Sequence, residues 1–224
     1  MEKLKNHVKK ENAKQLKKAI SDLKKAKKSN FIDLWYYREK LTAQQIEKLN
    51  NKELTTKEIK EMLQKKIIKE YQKRLEKDLK RIETIAKANN DVENINISVN
   101  WVKSPAWGHN PHATITTNNG GITEGRASGC GYDKESAAIA EALNKNNDIL
   151  KLLYIAKNKK MTLKNNDSHD LLGYGSGYGV LPYFEGGVGT SSLMNIFRKL
   201  GYTVQEYHTN TSDFYTITKN GGRK

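Results

Sequence analysis

The chain's single cysteine, Cys130, lies between Gly129 and Gly131, three residues ahead of Asp133, where a helix is expected to begin. A thiol near a helix N-terminus has a lowered pKa and is a better nucleophile. His109 or His112 would then serve as its base, and Asp133 would orient the imidazole. The same His109-x-x-His112 pair with Cys130 gives three candidate zinc ligands, but no second cysteine pair completes them. Nothing in the spacing demands either chemistry, since a small apolar Cys between glycines also serves a tight turn. No paired-carboxylate motif stands out. The reading from sequence therefore assigns no catalytic residue, no metal and no cofactor.

The stronger chemical signal is charge. Residues 1–90 hold 26 Lys and Arg against 13 Asp and Glu, a net of +13, whereas residues 91–224 hold 14 against 12, a net of +2. An excess confined to one part of a chain suggests a segment held against phosphates or an acidic surface. The first helical stretch concentrates it in Lys9, Lys10, Lys14, Lys17, Lys18, Lys24, Lys25, Lys27 and Lys28. Such a face tracks a phosphate backbone by releasing counterions. It reads no bases, because phosphate contacts position rather than specify. Arg38 is the only arginine of the first 70 residues, so bidentate guanine readout is not expected from this arm. A solvated lysine face that keeps a helical hairpin soluble is the alternative. A membrane surface ranks lower, because the apolar stripe is thin and lacks aromatics.

The elements that carry these residues follow from periodicity. Val8, Leu16, Ile20 and Leu23 recur at helical spacing, so a helix is expected over 8–28. Phe31, Ile32, Leu34, Trp35, Tyr36 and Tyr37 form a dense apolar cluster, read as a docking point for the arm. Thr42-Ala43-Gln44-Gln45 and Thr55-Thr56-Lys57-Glu58 read as capping boxes, the second opening a long helix over 57–88. Beyond Asn89-Asn90-Asp91 the pattern changes. Ile95, Ile97 and Val99 alternate as in a strand, a loop is expected through Pro105, Gly108 and Pro111, and Ala113–Thr117 is a second strand. Asn118-Asn119-Gly120-Gly121 is a hairpin turn into Ile122–Ser128. Helices are expected from Asp133 to Leu143, over 148–158 and over 190–200. A short strand is placed at 180–184, and a closing hairpin at 202–208 and 213–219. The expected fold is α+β: a Lys-rich helical arm, 1–90, followed by a compact domain, 91–224, of about five mostly antiparallel strands and three helices.

Asn110-Pro111-His112-Ala113-Thr114-Ile115-Thr116, the Asn-Gly-Gly turn and the run from Gly125-Arg126 through Gly129-Cys130-Gly131-Tyr132-Asp133-Lys134 to Ala142-Leu143 resemble the C-terminal two-thirds of a double-stranded-RNA-binding domain. The resemblance covers residues 110–143. It implies that His112 reads a minor groove and that Lys134, with the amides near Asp133, holds the phosphates between grooves. Arg126 is a further candidate nucleic-acid contact. The family's lysine cluster is reduced here to Lys134, flanked by Asp133 and Glu135. The block from Trp101 to Leu143, with Gly173–Gly189, also resembles uncharacterised proteins of phages and other mobile elements, which implies no activity but suggests replication, packaging or anti-defence roles.

Trp107, Tyr132, Tyr174 and Tyr178, with Trp101 and Tyr183, offer stacking surfaces for unpaired bases, or pack in the core and loops. Gly186-Gly187-Val188-Gly189 enters a helix but lacks the Gly-Lys-Ser/Thr of a P-loop. One cysteine permits no intrachain disulfide, which fits a reducing compartment. No apolar run approaches a membrane span, and Met1-Glu2-Lys3-Leu4-Lys5 lacks a secretory apolar core. A cytoplasmic, non-enzymatic nucleic-acid-binding protein is expected, its ligand being RNA or DNA. The alternative is a mobile-element inhibitor of a host defence nucleoprotein complex (anti-CRISPR-like), acting on an acidic or nucleic-acid-binding protein partner.

Overall fold

The computed structural model describes residues 1–89, 91–104, 108–127, 134–158, 172–174, 182–184 and 189–220. The chain divides into a helical unit, Glu2–Arg81, and a mixed unit built from Ile82–Gly177 and Leu181–Lys224. The fold is α+β.

The helical unit opens with α1, Glu2–Lys25, which begins six residues earlier than the apolar repeat suggests. Leu4 extends the buried stripe of Val8 and Leu23 toward the N-terminus. The helix also stops sooner than expected. The Asn30 side chain accepts from the Lys27 amide at 3.0 Å, turning the chain into α2, Lys28–Asp33. Lys27 and Lys28 therefore stand outside the first helix. Leu34, extended at φ −79° and ψ 115°, separates α2 from α3, Trp35–Arg38.

Both predicted capping boxes are present. Thr42 Oγ1 accepts from the Gln45 amide at 3.2 Å, and Gln45 Oε1 accepts from the Thr42 amide at 3.0 Å, which opens α4, Ala43–Asn50. Thr55 and Glu58 make the same exchange ahead of α5, Thr56–Lys87. Accepting first from the Thr55 amide and then from its hydroxyl holds the Glu58 carboxyl below its ordinary value. The core of the unit gathers Leu23, Phe31, Tyr37, Leu41, Leu49, Ile59, Leu63 and Ile67. The α1 helix runs antiparallel to the first half of α5: Asn12 Nδ2 donates to the Tyr71 carbonyl at 3.2 Å, and Lys60 Nζ donates to the Lys24 carbonyl at 2.6 Å. The lysine-rich helix thus folds back on the long one. Its last carbonyls, left without intrahelical donors, receive an ammonium there.

The last turns of α5 belong to the mixed unit, where Lys151 Nζ donates to the carbonyls of Ala86 and Ala88. Five antiparallel strands follow in the order β3-β2-β1-β7-β6. They are β1 Asn94–Ser104, β2 Gly108–Thr117, β3 Ile122–Arg126, β6 Tyr202–His208 and β7 Ser212–Lys219. Between them in sequence come α6 Lys134–Lys145, α7 Asn147–Asn158, the short pair β4 Leu172–Tyr174 and β5 Pro182–Phe184, and α8 Thr190–Lys199. The expected loop at Gly108–His112 is strand instead. The carbonyl of Pro111 accepts from Ala127 at 3.3 Å, so its nitrogen faces the same side, where β3 ends. The missing N–H therefore costs no bond to β1, and it stops the ladder with β3.

Inner positions of the strands, Ile95, Ile97, Val99, Ala113, Ile115, Tyr215 and Ile217, are buried. The α6 helix crosses this inner face against β2 and β3. Gly125 permits it: a Cβ there would lie 2.0 Å from the Ala138 carbonyl oxygen and 2.6 Å from the Ala142 nitrogen. At the other end Phe184 stacks on Phe197 with centroids 6.1 Å apart, and Phe197 meets Tyr202 edge-on. The Asn144 amide binds both backbone polar groups of Phe184, at 2.9 and 2.8 Å. Gly120, at φ +75°, makes the predicted hairpin turn.

Gly125→Ala is expected to destabilise the protein at or beyond the upper end of the ~1–3 kcal/mol typical of overpacking, because the obstacles are backbone atoms that cannot rotate away. Thermal unfolding of the full chain checks this. A melting temperature equal to wild type would show that α6 does not sit on β3 in this way.

Candidate nucleic-acid interface

All nine lysines singled out from sequence, Lys9, Lys10, Lys14, Lys17, Lys18, Lys24, Lys25, Lys27 and Lys28, are exposed. The opposite side of α1 is buried through Leu4, Val8, Asn12 and Leu23. Among the described residues only Lys14 of the nine has a carboxylate partner, Glu11 at 3.8 Å. The others project free ammonium groups into solvent. The 24 residues of α1 span ~36 Å. A duplex presents about 20 phosphates over that length.

A second basic feature was not singled out from sequence. Glu39, Lys40, Lys66, Lys69, Glu70 and Lys73 line a cavity of about 460 Å³. Lys40 Nζ sits 2.6 Å from both oxygens of Glu70 and 4.2 Å from the Tyr36 ring centroid. Lys66 Nζ donates to the Lys40 carbonyl at 2.5 Å. Lys69 and Lys73 remain exposed on the rim. The signal available in sequence was their i, i+4 spacing on α5. The 31–37 cluster divides: Phe31 and Tyr37 enter the core, while Leu34, Trp35 and Tyr36 are exposed, Trp35 by 74%.

In the mixed unit His112 and Arg126 are cross-strand partners. They share the outer face of the sheet, away from α6. Arg126 is exposed, and its amide donates to Glu141 at 2.8 Å. Lys145, 2.6 Å from Glu141, and then that amide hold the Glu141 carboxyl below its ordinary value. Lys134 opens α6 on the inner side, so the sheet lies between the helix that Lys134 begins and the face His112 occupies. The joint clamp implied by the duplex-RNA resemblance is thereby divided. Strand alternation likewise puts His109 and His112 on opposite faces, which separates the two candidate zinc ligands. Cys130, Tyr132, Asp133, Trp107 and Tyr178 lie outside the described residues, as do the glycines 186–188. Tyr174 falls in β4, where only the backbone is described.

The inner face ends in a polar network that sequence reasoning missed. Trp101 Nε1 donates to Asp213 Oδ2 at 2.7 Å, and the other Asp213 oxygen meets His208 Nδ1 at 2.8 Å. His109, Trp101 and Asp213, with residues 209–211, line a cavity of about 370 Å³. Beside it the Tyr215 hydroxyl donates to Glu135 Oε1 at 2.5 Å, and Thr190 donates to the other Glu135 oxygen at 2.9 Å. Burial first, and then the Glu135 hydrogen bond, push the Tyr215 phenol far up from its ordinary value. Each oxygen of both carboxylates has a partner from another strand or helix, so the two groups pin elements together. Only long-range pairing reveals them, since Trp101 and Asp213 are 112 residues apart.

No family model, curated protein or solved structure matches the chain. Among the described residues no helix is long and apolar enough to cross a membrane.

Asp213 raises the His208 pKa above 6.5 chiefly through their hydrogen bond. The pair therefore stabilises the folded state below about pH 6.5, and that contribution is lost as pH rises through the raised value. Asp213→Asn should return the His208 titration, followed by NMR, toward 6.5. An unmoved midpoint would show that Asp213 does not charge the ring.

Proposed function

We propose that the chain is a non-enzymatic nucleic-acid-binding protein whose helical unit supplies electrostatic, sequence-independent attachment. The carrying observation is the nine exposed lysines, seven on one side of α1 and two just beyond its end, eight of them without a carboxylate partner among the described residues. Protein surfaces usually intersperse both signs of charge. A dense, unneutralised lysine face repels itself, and a polyanion laid along it relieves that repulsion. Lysine without arginine suits phosphate contact as a point charge, not base readout. The rim lysines of α5, Lys69 and Lys73, extend the same charge on a second helix.

A protein partner is the second reading, favoured by the exposed Leu34-Trp35-Tyr36 patch. Exposed tryptophan and tyrosine beside apolar groups have the composition of an interface anchor. In this reading the arm occupies an acidic surface, or the nucleic-acid channel, of another assembly.

The test is a fluorescence-anisotropy titration of the full chain against duplex and single-stranded oligonucleotides at several salt concentrations. Wild type should lose affinity steeply with salt. Replacing Lys9, Lys10, Lys17 and Lys18 together by Ala should flatten the log–log slope by about 3–4, at ~0.9 for each duplex phosphate that is no longer neutralised. A salt-insensitive complex, or an unchanged slope, would overturn the electrostatic reading. Recovery from nuclease-treated lysate of a stoichiometric protein partner that Trp35→Ala abolishes would favour the second reading.

A further inference from the structure

Among the described residues of the mixed unit, the large hydrophobic side chains that are exposed are Val102, Ile122, Tyr207 and Phe214. All four project from one side of the five-stranded sheet. Strand alternation places them out of phase with the buried inner positions, and the register confirms it. Tyr207 pairs with Phe214, Phe214 with Ser98, and Ser98 with Thr114, all outer positions. The Tyr207 and Phe214 rings are 6.2 Å apart at 31°. Tyr207 is 66% and Phe214 39% exposed.

The rest of that face is almost uncharged. Between the rings and the far edge stand hydroxyl and amide side chains, chiefly Ser, Thr and Asn. Among the residues facing outward from these strands the fixed charges are Glu124 and Arg126, and there is no lysine, in a chain with 40 Lys and Arg. This surface is not built to track phosphates. Exposed aromatic rings flanked by neutral donors and acceptors match the chemistry of bases instead.

We propose that the outer face of this sheet binds single-stranded nucleic acid, seating unpaired bases on Tyr207 and Phe214. The proposal rests on the reading that the chain binds nucleic acid, and it names the form. A duplex buries its base faces in the stack, so two open rings on a sheet have nothing to stack on in it. The rings are one cross-strand step apart and seat neighbouring bases. His112 and Arg126 supply hydrogen bonds and positive charge at the edge of the same face. A second copy of the chain fits less well. Face-to-face sheet packing would dry out the central Ser, Thr and Asn groups without partners, a cost that isolated aromatic contacts do not offset.

The experiment compares wild type, Tyr207→Ala, Phe214→Ala and Tyr207→Phe, all as full chains. Anisotropy is read with a labelled 15-nucleotide RNA and with the matching duplex, and sedimentation is run on the free proteins. Each Ala variant should weaken single-strand binding roughly 5- to 100-fold, leave duplex affinity unchanged, and Tyr207→Phe should bind as wild type. Equal losses on both ligands, or no loss on either, would overturn the sheet-face proposal while leaving the nucleic-acid reading intact. Wild type that binds neither ligand would overturn both. A dimer that the Ala variants convert to monomer with single-strand affinity unchanged would make the face a contact between copies, and would also overturn it.

Discussion

A methyl group at Gly125 would stand 2.0 Å from one α6 backbone atom and 2.6 Å from another. The mixed unit is organised around that close approach. Because β3 presents no side chain there, α6 lies directly on the sheet and its alanines, Ala138, Ala140 and Ala142, are buried. Their short side chains keep the helix near the strands, and Glu135 can then reach Tyr215 at 2.5 Å. Thr190, at the start of α8, joins the same carboxylate. One missing Cβ thus sets the depth of a helix, and the helix sets where the polar pins close. With α6 fixed on the inner side, Val102, Ile122, Tyr207 and Phe214 on the outer side are left exposed.

The helical unit is built under the opposite constraint. Its core is a thin seam of leucine, isoleucine and two aromatics, around which lysines accumulate. Like charges on adjacent helices repel, and a small seam has little apolar area to offset them. The unit answers locally. Lys60 is drawn onto the open carbonyl end of α1, and Lys66 onto the Lys40 carbonyl. The Lys40 ammonium is shielded between Glu70 and the Tyr36 ring. Two capping boxes bind otherwise unpaired amides, each contributing about 1 kcal/mol. On the outer side of α1, Lys9, Lys10, Lys17, Lys18, Lys24 and Lys25 stand exposed without a carboxylate partner among the described residues.

The sequence was legible where a rule is local. Thr42 with Gln45, Thr55 with Glu58, the Asn-Gly-Gly turn and the closing hairpin each depend on residues a few positions apart, and each appears as expected. It was less legible where geometry decides. The Pro111 carbonyl–amide direction could not be known without the β3 register, so the start of β2 read as a loop. The pairing of β4 with β5 joins segments too short to show a period. Among site residues, the exposure of the seven lysines on α1 followed from the helical stripe. The separation of His112 from α6 did not, because it depends on which parity of β2 meets the helix. Tyr207 and Phe214 escaped notice for the same reason: β6 carries Tyr202 inward and Tyr207 outward, and nothing within the strand says which is which.

Separating charge from aromatic surface has a physical consequence for recognition. A lysine ammonium is strongly hydrated and gains most by replacing counterions at phosphates, where it stays wet. An aromatic ring gains by losing water, and a charge set beside it must be desolvated whenever a base stacks. Lysines interleaved with Tyr207 and Phe214 would add that cost to every stacking event. Keeping the sheet face neutral removes it, while the field of a +15 chain still raises the local concentration of any polyanion. In the proposed mode of binding, encounter and recognition would differ in salt dependence: charge would govern how often a strand arrives, and ring contact how long it stays.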